Sequence, residues 1–367
     1  MGICAISYRH RILIKQFVLV LVSTILLLSC DKAQDTKGET IPAPQEFSKS
    51  QNPAFTVSYL SKLLENQDGA NLYYLRAKAY YDLRAYQKAE DDIENALNKV
   101  PGDIDFLFLS AKIKSKLGLL DEAMEDAKLV ESSGLALSNL YVLLAELHFQ
   151  LHEKRIALSY LTKSQKAGIP QSEIIYFQFL SRQVRSDSLG ALGSIEFRQV
   201  DHPELAHAYF SYQIGRLPNI QYQKNILSEL KKYPLDPYLM MSWGDFLVHV
   251  SQFVQAEKVY NQVLTWLPRN PNVRLRMARF YLTRKKYDLA DQQLDQIKAT
   301  YLAKDALYLR ALIRFNVGQK DRTIALLDSA RKLYGNDARM MSLYDRVNGK
   351  KLDSTQVKVD STRLTTP

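Results

Sequence analysis

Two histidines of this 367-residue chain stand at a spacing that can bind a metal ion. His148 and His152 are four residues apart, so a helix would place both imidazoles on one face. A zinc protease helix also needs glutamate directly after the first histidine, where this chain has Phe149. The second histidine falls in an expected turn between helices. We therefore expect no metal at this pair.

Other residue types that serve catalysis occur only in unsuitable surroundings. The segment 190–193 begins and ends with glycine, but it follows no predicted strand and lacks the lysine of a phosphate loop. Asp91 and Asp92 lie in a helical run, where exposure to solvent explains them. His202 and His207 have no obvious carboxylate or thiol partner. The sequence therefore predicts a protein that is not an enzyme and that holds no metal and no cofactor.

The two cysteines, Cys4 and Cys30, both lie near the N-terminus. A basic stretch at 9–15 precedes an apolar run at 16–28, which is too short to span a bilayer comfortably as a helix. The run ends in the segment 27–30, Leu-Leu-Ser-Cys, which resembles a bacterial lipobox. In a lipobox the cysteine thiol is acylated and the residues before it are removed. Cleavage by an ordinary signal peptidase and a retained membrane anchor are the alternatives.

The lipobox implies a signal peptide at 1–29, a lipidated Cys30 and a flexible tether over 30–52. The mature chain would then hold one cysteine, at its first position, which excludes an internal disulfide and a thiol site. We expect the protein in a bacterial cell envelope, at the outer membrane or the periplasmic face of the inner membrane. Asp31 after the cysteine resembles the inner-membrane retention signal of enteric bacteria.

The net charge favours lipid or protein partners over nucleic acid. Removal of the signal peptide takes away Arg9, Arg11 and Lys15, which lowers the formal charge by three, from +10 to +7. A modest positive excess is weak support for nucleic-acid binding, so we expect none. Attraction to anionic lipid headgroups or acidic protein segments is more natural for an anchored envelope protein.

Small residues recur along the chain at a step of 34. The series are Ala89, Ala123 and Ala157; Ala77, Ala111 and Ala145; Ala256 and Ala290; and Gly244 and Ala278. Small residues at a fixed period mark places where two helices approach closely. With apolar residues at helical spacing between them, the period predicts a stacked array of helix pairs.

The first unit, 70–103, carries the fullest set of large, small and proline positions. These are Tyr73, Ala77, Tyr80, Tyr86, Ala89, Ile93, Ala96 and Pro101. The pattern resembles the tetratricopeptide repeat, a helix–turn–helix unit of 34 residues. Units two (104–137), three (138–171), six (237–270), seven (271–302) and eight (304–336) repeat parts of it. The resemblance implies an all-α solenoid, a right-handed superhelix of antiparallel helix pairs.

The array of about eight units is predicted over 53–347. Residues 172–236 fit the repeat poorly and are counted as two degenerate units, which could form a hinge, a kink or a diverged pair. A helix over 337–347 is expected to cap the open end of the stack. Residues 348–367 show no periodicity and are expected to be disordered.

By the same resemblance, the first helix of each unit would line a concave groove. Its positions would include Asn71, Tyr74, Lys78, Tyr81, Phe108, Lys112, Lys116, Glu146, Phe149, Tyr238, Asp245, Arg276, Arg279, Tyr308 and Phe315. Aromatic and charged side chains in such a mixture suit an extended peptide or a partner helix.

Two basic clusters fall within or beside these positions. One comprises Lys78, Lys112 and Lys116, and the other Arg274, Arg276 and Arg279. Either could capture a carboxylate or an acidic segment, or could simply be a solvated helix face. The lysine and asparagine set by which some chaperone-binding repeats hold a C-terminal carboxylate is not clearly reproduced.

The resemblance thus implies a lipid-anchored, non-catalytic scaffold or adaptor for protein partners in envelope assembly. The alternative is a glycan- or nutrient-binding outer-membrane lipoprotein. Chains of that kind are usually longer and carry large loop insertions, for which this array has little room.

Overall fold

The computed structural model describes residues 52–135, 137–170, 174–185, 192–193, 195 and 203–349. Within these residues the chain forms seventeen α-helices, one short 3-10 helix and no strand, which confirms the predicted all-α class. The lipobox with Cys30, the predicted tether up to residue 51, Ala191, His202 and most of the predicted tail lie outside the described residues.

The helices follow one another in antiparallel pairs. The first eight are α1 (Pro53–Leu64), α2 (Ala70–Asp82), α3 (Tyr86–Lys99), α4 (Ile104–Leu117), α5 (Leu120–Ser132), α6 (Ser138–Gln150), α7 (Lys154–Ala167) and α8 (Ile174–Val184). The next five are α9 (Pro203–Gln213), α10 (Asn219–Lys232), α11 (Pro237–His249), α12 (Phe253–Trp266) and α13 (Pro271–Thr283). The last four are α14 (Tyr287–Asp295), α15 (Ala303–Asn316), α16 (Lys320–Tyr334) and α17 (Ala338–Val347), with the 3-10 helix Thr300–Leu302 before α15.

Several helices begin at a polar cap followed by proline. Asp236 accepts hydrogen bonds from the first amides of α11, and Asn270 does the same for α13. In both helices the next residue is proline, which lacks an amide proton and already holds the helical φ. These sequence signals fix the start of the first helix in units six and seven.

The 34-residue ladder lies where the helices of a unit cross. All its described alanines, from Ala77 to Ala290, are at most 1% exposed. At Gly244 the space is smaller still, because a Cβ atom there would lie 2.6 Å from Cε1 of Tyr260. The small residues therefore serve close packing, as the sequence predicted.

Each short turn between the two helices of a unit contains one residue with a left-handed backbone. These residues are Arg84, Gly118, His152, Ser251, Lys285 and Gly318. Glycine adopts this conformation without strain, whereas other residues pay about 1 kcal/mol or more. The four residues that are not glycine therefore carry backbone strain at these turns.

The middle of the array is helical where it is described. The segments 202–217 and 219–233, which Pro218 separates, predict a helix pair. The structure shows α9 and α10 there, which end four residues and one residue earlier than predicted. Phe210 of α9 packs edge-on against Tyr222 of α10, with ring centroids 5.7 Å apart. The poor sequence match there reflects different core residues rather than a loss of helices.

Units that are far apart in sequence contact each other. Arg84, in the turn of unit one, forms an ion pair with Asp236, in the loop before unit six, with 2.6 Å between Nη1 and Oδ2. Tyr86 lies against Tyr238, with ring centroids 6.3 Å apart. The two residues of each pair are 152 apart in sequence. The turns of units one and two thus contact the loops before units six and seven. We call this contact the seam.

The seam contact recurs one unit further along. A Cβ atom on Gly118, in the turn of unit two, would lie only 2.7 Å from Nδ2 of Asn270, in the loop before unit seven. This pair is also 152 residues apart, so two consecutive units make equivalent contacts. One hydrophobic cluster includes residues from both sides of the seam, among them Ile113, Leu117, Met241 and Val273.

Candidate protein-binding groove

The predicted groove residues come from the first helix of each unit. They are Tyr74 and Lys78 on α2, Phe108, Lys112 and Lys116 on α4, Phe149 on α6, Tyr238 and Asp245 on α11, Arg276 and Arg279 on α13, and Tyr308 and Phe315 on α15. The structure brings some of them together on a partly exposed surface and places the others in contacts within the chain.

The partly exposed surface lies on α2 and α4, and we call it the open section. It consists of Tyr74, Lys78, Tyr81, Phe108 and Lys112. Nζ of Lys112 lies 4.7 Å from the ring centroid of Tyr81 and 5.9 Å from that of Phe108. A cation held between two aromatic rings gives a surface with both apolar area and positive charge.

The two lysines of the open section act on the same carboxylate. Desolvation raises the pKa of Asp82, and the positive charges of Lys78 and Lys112 act in the opposite direction. Both lysines therefore contribute positive charge beside the same carboxylate. Tyr74 extends the apolar part of this surface and stacks on Phe106, with ring centroids 4.9 Å apart.

Lys116 and Tyr238 are held at the seam. Lys116 is buried and pairs with Glu146 at 3.3 Å, and the hydroxyl of Tyr238 donates a hydrogen bond to the carbonyl of Lys116. The first predicted basic cluster is thus divided. Lys78 and Lys112 are at least partly exposed at the open section, whereas Lys116 is buried.

The second predicted basic cluster is also divided among partners within the chain. Arg276 forms an ion pair with Asp245, which also accepts a hydrogen bond from the hydroxyl of Tyr260 at 2.7 Å. Burial lowers the pKa of Arg276 to about 10, and the charge of Arg279 acts in the same direction. Arg274 instead donates to the carbonyl of Pro268 at 2.9 Å. These arginines do not form one open cationic patch.

The last predicted groove residues lie beneath α17. The guanidinium of Arg339 is 5.3 Å from the ring centroid of Tyr308, and that of Arg346 is 4.9 Å from the ring centroid of Phe315. Arg339 also pairs with Asp305 at 2.9 Å. The capping helix therefore covers this end of the groove. Phe149 on α6 is partly buried and packs against the core.

Two of the histidines that the sequence raised as candidate ligands, His148 and His207, have protein partners. Nδ1 of His148 lies 2.5 Å from Oε2 of Glu153, whereas His152 is exposed in the turn. Nδ1 of His207 lies 3.0 Å from the hydroxyl of Ser242. Burial and the charge of Arg276 lower the pKa of His207 to about 3. No group of three or more potential ligands stands together among the residues described.

A family model supports the interpretation of the array. The model of the tetratricopeptide repeat matches residues 247–313, which run from the end of α11 through α15. These residues carry tetratricopeptide repeats, and the described helices form a tetratricopeptide-repeat solenoid. A search of curated proteins gave no match.

Solved structures share the fold of this repeat protein. The crystal structure of the APC/C hetero-tetramer Cut9–Hcn1 aligns over 79% of this chain and 58% of that chain, with a TM-score of 0.54 and 14% identity. This chain therefore spans little more than half the length of that relative, and the likeness concerns the fold alone.

Two further structures are more distant. A tetratricopeptide-repeat protein from Parabacteroides merdae aligns over 79% of this chain and 99% of that chain, with a TM-score of 0.35 and 14% identity. PilF of Pseudomonas aeruginosa aligns over 76% and 97%, with a TM-score of 0.26 and 12% identity. Neither likeness is close enough to carry a functional argument.

Sequence reasoning missed the ion pairs of the seam. Arg84, Asp236 and Arg269 were not singled out, because nothing in the 34-residue period joins unit one to the loop before unit six. One signal was present in the sequence. Arginine stands at the turn position of unit one, where units two and eight have glycine.

Proposed function

We propose that this repeat protein is a lipid-anchored scaffold that binds protein segments during bacterial envelope assembly. Tetratricopeptide-repeat proteins bind protein or peptide partners, and they generally lack catalytic activity. The open section carries the proposal, because it combines three partly exposed aromatic rings with two lysines. An extended segment with an apolar side chain and a nearby carboxylate matches this chemistry.

Site-specific crosslinking in cells tests the proposed binding surface. A photoreactive amino acid at position 78 would stand in the open section, and one at position 94 would stand on the exposed outer face of α3. We expect a protein adduct from position 78 and none of the same mass from position 94. The Lys112→Glu substitution should weaken the adduct at position 78, since it reverses the attracting charge that remains once Lys78 is replaced.

The same experiment distinguishes the alternative function. Equal adducts from both positions, or an adduct at position 78 that Lys112→Glu leaves unchanged, would contradict binding at the open section. A sugar that copurifies with the protein, together with the absence of any protein adduct, would favour a glycan- or nutrient-binding lipoprotein.

The lipid anchor is a separate part of the proposal and rests on the sequence around Cys30. Cells fed an alkyne fatty acid should incorporate the label into the wild-type protein and into Cys4→Ser, because Cys4 precedes the cleavage site. Cys30→Ser should lose the label. Unlabelled wild-type protein in the membrane fraction would indicate a retained anchor, and unlabelled protein outside that fraction would indicate ordinary cleavage.

No helix in the described part of the chain has the length and apolar character that a membrane span needs. The proposed attachment to the membrane therefore depends on the segment around Cys30. Fractionation with outer- and inner-membrane markers would assign the membrane.

A further inference from the structure

Arg84 combines two unfavourable features in one residue. Its φ is +61°, in the left-handed region that glycine adopts at the matching turns of units two and eight. Its side chain is long and charged, yet the residue is 1% exposed. A strained backbone and a buried charge each cost free energy unless specific contacts offset them. The contacts of Arg84 must therefore be specific.

Two of those contacts lie across the seam. Nη1 of Arg84 donates to Oδ2 of Asp236 at 2.6 Å, and the guanidinium lies 3.6 Å from the ring centroid of Tyr233. The carboxylate of Asp236 has a second role, because its Oδ1 accepts from the amides of Tyr238 and Leu239 at the start of α11. The ion pair thus joins the turn of unit one directly to the first turn of unit six.

The edge of the seam is polar and less closely packed than the interior of a unit. Arg269 pairs with Glu90 at 2.5 Å and with Glu122 at 3.4 Å, and about half of its side chain is exposed. A cavity of about 420 Å³ adjoins these groups and is lined by residues that include Leu119, Pro268, Arg274 and Tyr301. At this exposed edge, ion pairs beside a cavity separate at a lower cost than the close-packed alanines within a unit. The buried Arg84–Asp236 pair and the apolar cluster behind it are the contacts that resist opening.

A line of aromatic rings connects the open section to the seam. Tyr81 of the open section lies edge-on to Tyr86 at 5.5 Å between centroids, and Tyr86 lies 6.3 Å from Tyr238. Tyr238 in turn donates its hydrogen bond to the carbonyl of Lys116. A bound segment that displaces Tyr81 would therefore also shift Tyr86 and Tyr238 at the seam.

We propose that the seam is a latch that opens without unfolding the units, and that its opening extends the open section to Lys116 and Tyr238. This inference rests on the proposed function, since it concerns how much of the same groove a partner can reach. The Arg84–Asp236 ion pair is its central contact. When it separates, Lys116 and Tyr238 lose their cover and the groove continues from α4 onto α11.

Hydrogen–deuterium exchange of the purified full chain tests the latch without any partner. Arg84→Gly removes the ion pair and relieves the backbone strain. We expect exchange in the peptides that cover 112–119 and 236–243 to rise on the order of tenfold. Exchange in α15 should stay at its wild-type rate. The matched control is His152→Gly, at the same turn position of unit three, where the side chain is exposed, and it should leave the seam peptides unchanged.

A second variant covers the case in which Arg84→Gly does not fold. Asp236→Asn keeps a side-chain oxygen for the cap of α11 but removes the charge that Arg84 faces, and it should also raise exchange at the seam alone. Unchanged exchange at the seam in either folded variant would overturn the proposal, as would an equal rise in His152→Gly. Loss of protection throughout the chain in both variants would also overturn it, because the seam would then maintain the fold rather than control the groove. None of these outcomes bears on whether the open section binds a partner.

Discussion

Gly118 shows how one residue can meet two requirements at once. Its φ of +75° favours glycine, and Asn270 occupies the space where a side chain would begin. Gly318 stands at the matching turn of unit eight with φ +78°, but it has no atom within 4 Å of an added Cβ. Alanine substitutions at the two glycines therefore distinguish the cost of backbone strain from the cost of crowding by Asn270.

We predict that Gly118→Ala destabilises the protein by about 2–4 kcal/mol, because backbone strain and a clash with Asn270 add. Gly318→Ala should cost only about 1 kcal/mol, the backbone effect alone. Urea unfolding followed by circular dichroism gives both values. Equal costs at the two positions would show that Asn270 moves aside and that the seam is not closely packed there.

The lowered pKa of His207 predicts that the fold loses stability at low pH. Its pKa of about 3 in the folded chain lies well below the usual histidine value near 6.5. The unfolded chain therefore binds a proton more readily than the folded chain between these two values. The contribution of neutral His207 to stability is complete above about pH 6.5 and is lost as the pH falls towards 3.

We expect His207→Gln to remove part of the acid sensitivity. Between pH 7 and pH 4.5 the wild type should lose on the order of 1 kcal/mol more stability than the variant. The control is His249→Gln, since His249 is exposed at the end of α11. The urea midpoint of each protein, measured across this pH range, tests the prediction. If the midpoints of the wild type and His207→Gln fall in parallel as the pH is lowered, the prediction is wrong.

At the scale of the elements, the start of α17 is capped by one residue, Asp337. Oδ1 of Asp337 accepts hydrogen bonds from the amides of Arg339 and Met340, and its other oxygen pairs with Lys304 at 2.7 Å. Burial alone would raise the pKa of Asp337, but the hydrogen bond from Lys304 and the charge of Arg339 lower it to about 2. The stabilising charge is therefore present above about pH 4 and is lost as the pH falls towards 2.

Removal of this cap should release the helix that covers Tyr308 and Phe315. We predict that Asp337→Ala raises amide exchange in α17 and lowers stability by about 1–2 kcal/mol. Asp337→Asn keeps the cap and loses the ion pair, so its effect should be smaller. If the two variants behave alike, the ion pair with Lys304 rather than the cap holds α17.

The helices were easier to predict than the groove. Apolar spacing and the 34-residue ladder located most helices, because both signals arise within one unit. Which groove residues are exposed and which are buried depends on contacts between units, and the 34-residue period does not encode those contacts. Lys112 is partly exposed whereas Lys116, one helical turn later, is buried against Glu146, although both were expected to line one surface.

At the scale of the whole array, the seam should change how the units unfold. An open solenoid can lose its terminal units separately, since each unit contacts only its neighbours. Here unit one also contacts the loop before unit six, so the two regions should unfold together. The two tryptophans, Trp243 and Trp266, both lie in unit six and report on that unit alone.

We predict that tryptophan fluorescence and circular dichroism give the same urea transition in the wild type. In Asp236→Asn the two curves should separate, because unit six is no longer coupled to unit one. The control is Asp295→Asn, whose carboxylate pairs only at the exposed surface with Arg310. Separate transitions in the wild type would indicate that the seam contributes little to cooperativity.

The shared separation of 152 residues across the seam also limits the length of the array. It corresponds to about four and a half units of 34 residues, because a turn within one unit meets a loop between two others. Insertion or deletion of one whole unit between α5 and α11 would leave every neighbouring pair of helices intact. It would nevertheless place a different loop opposite Arg84, and the buried guanidinium would lose Asp236. Most repeat arrays can gain or lose a unit with little penalty, whereas in this chain the number of units between the two sides of the seam is itself a structural requirement.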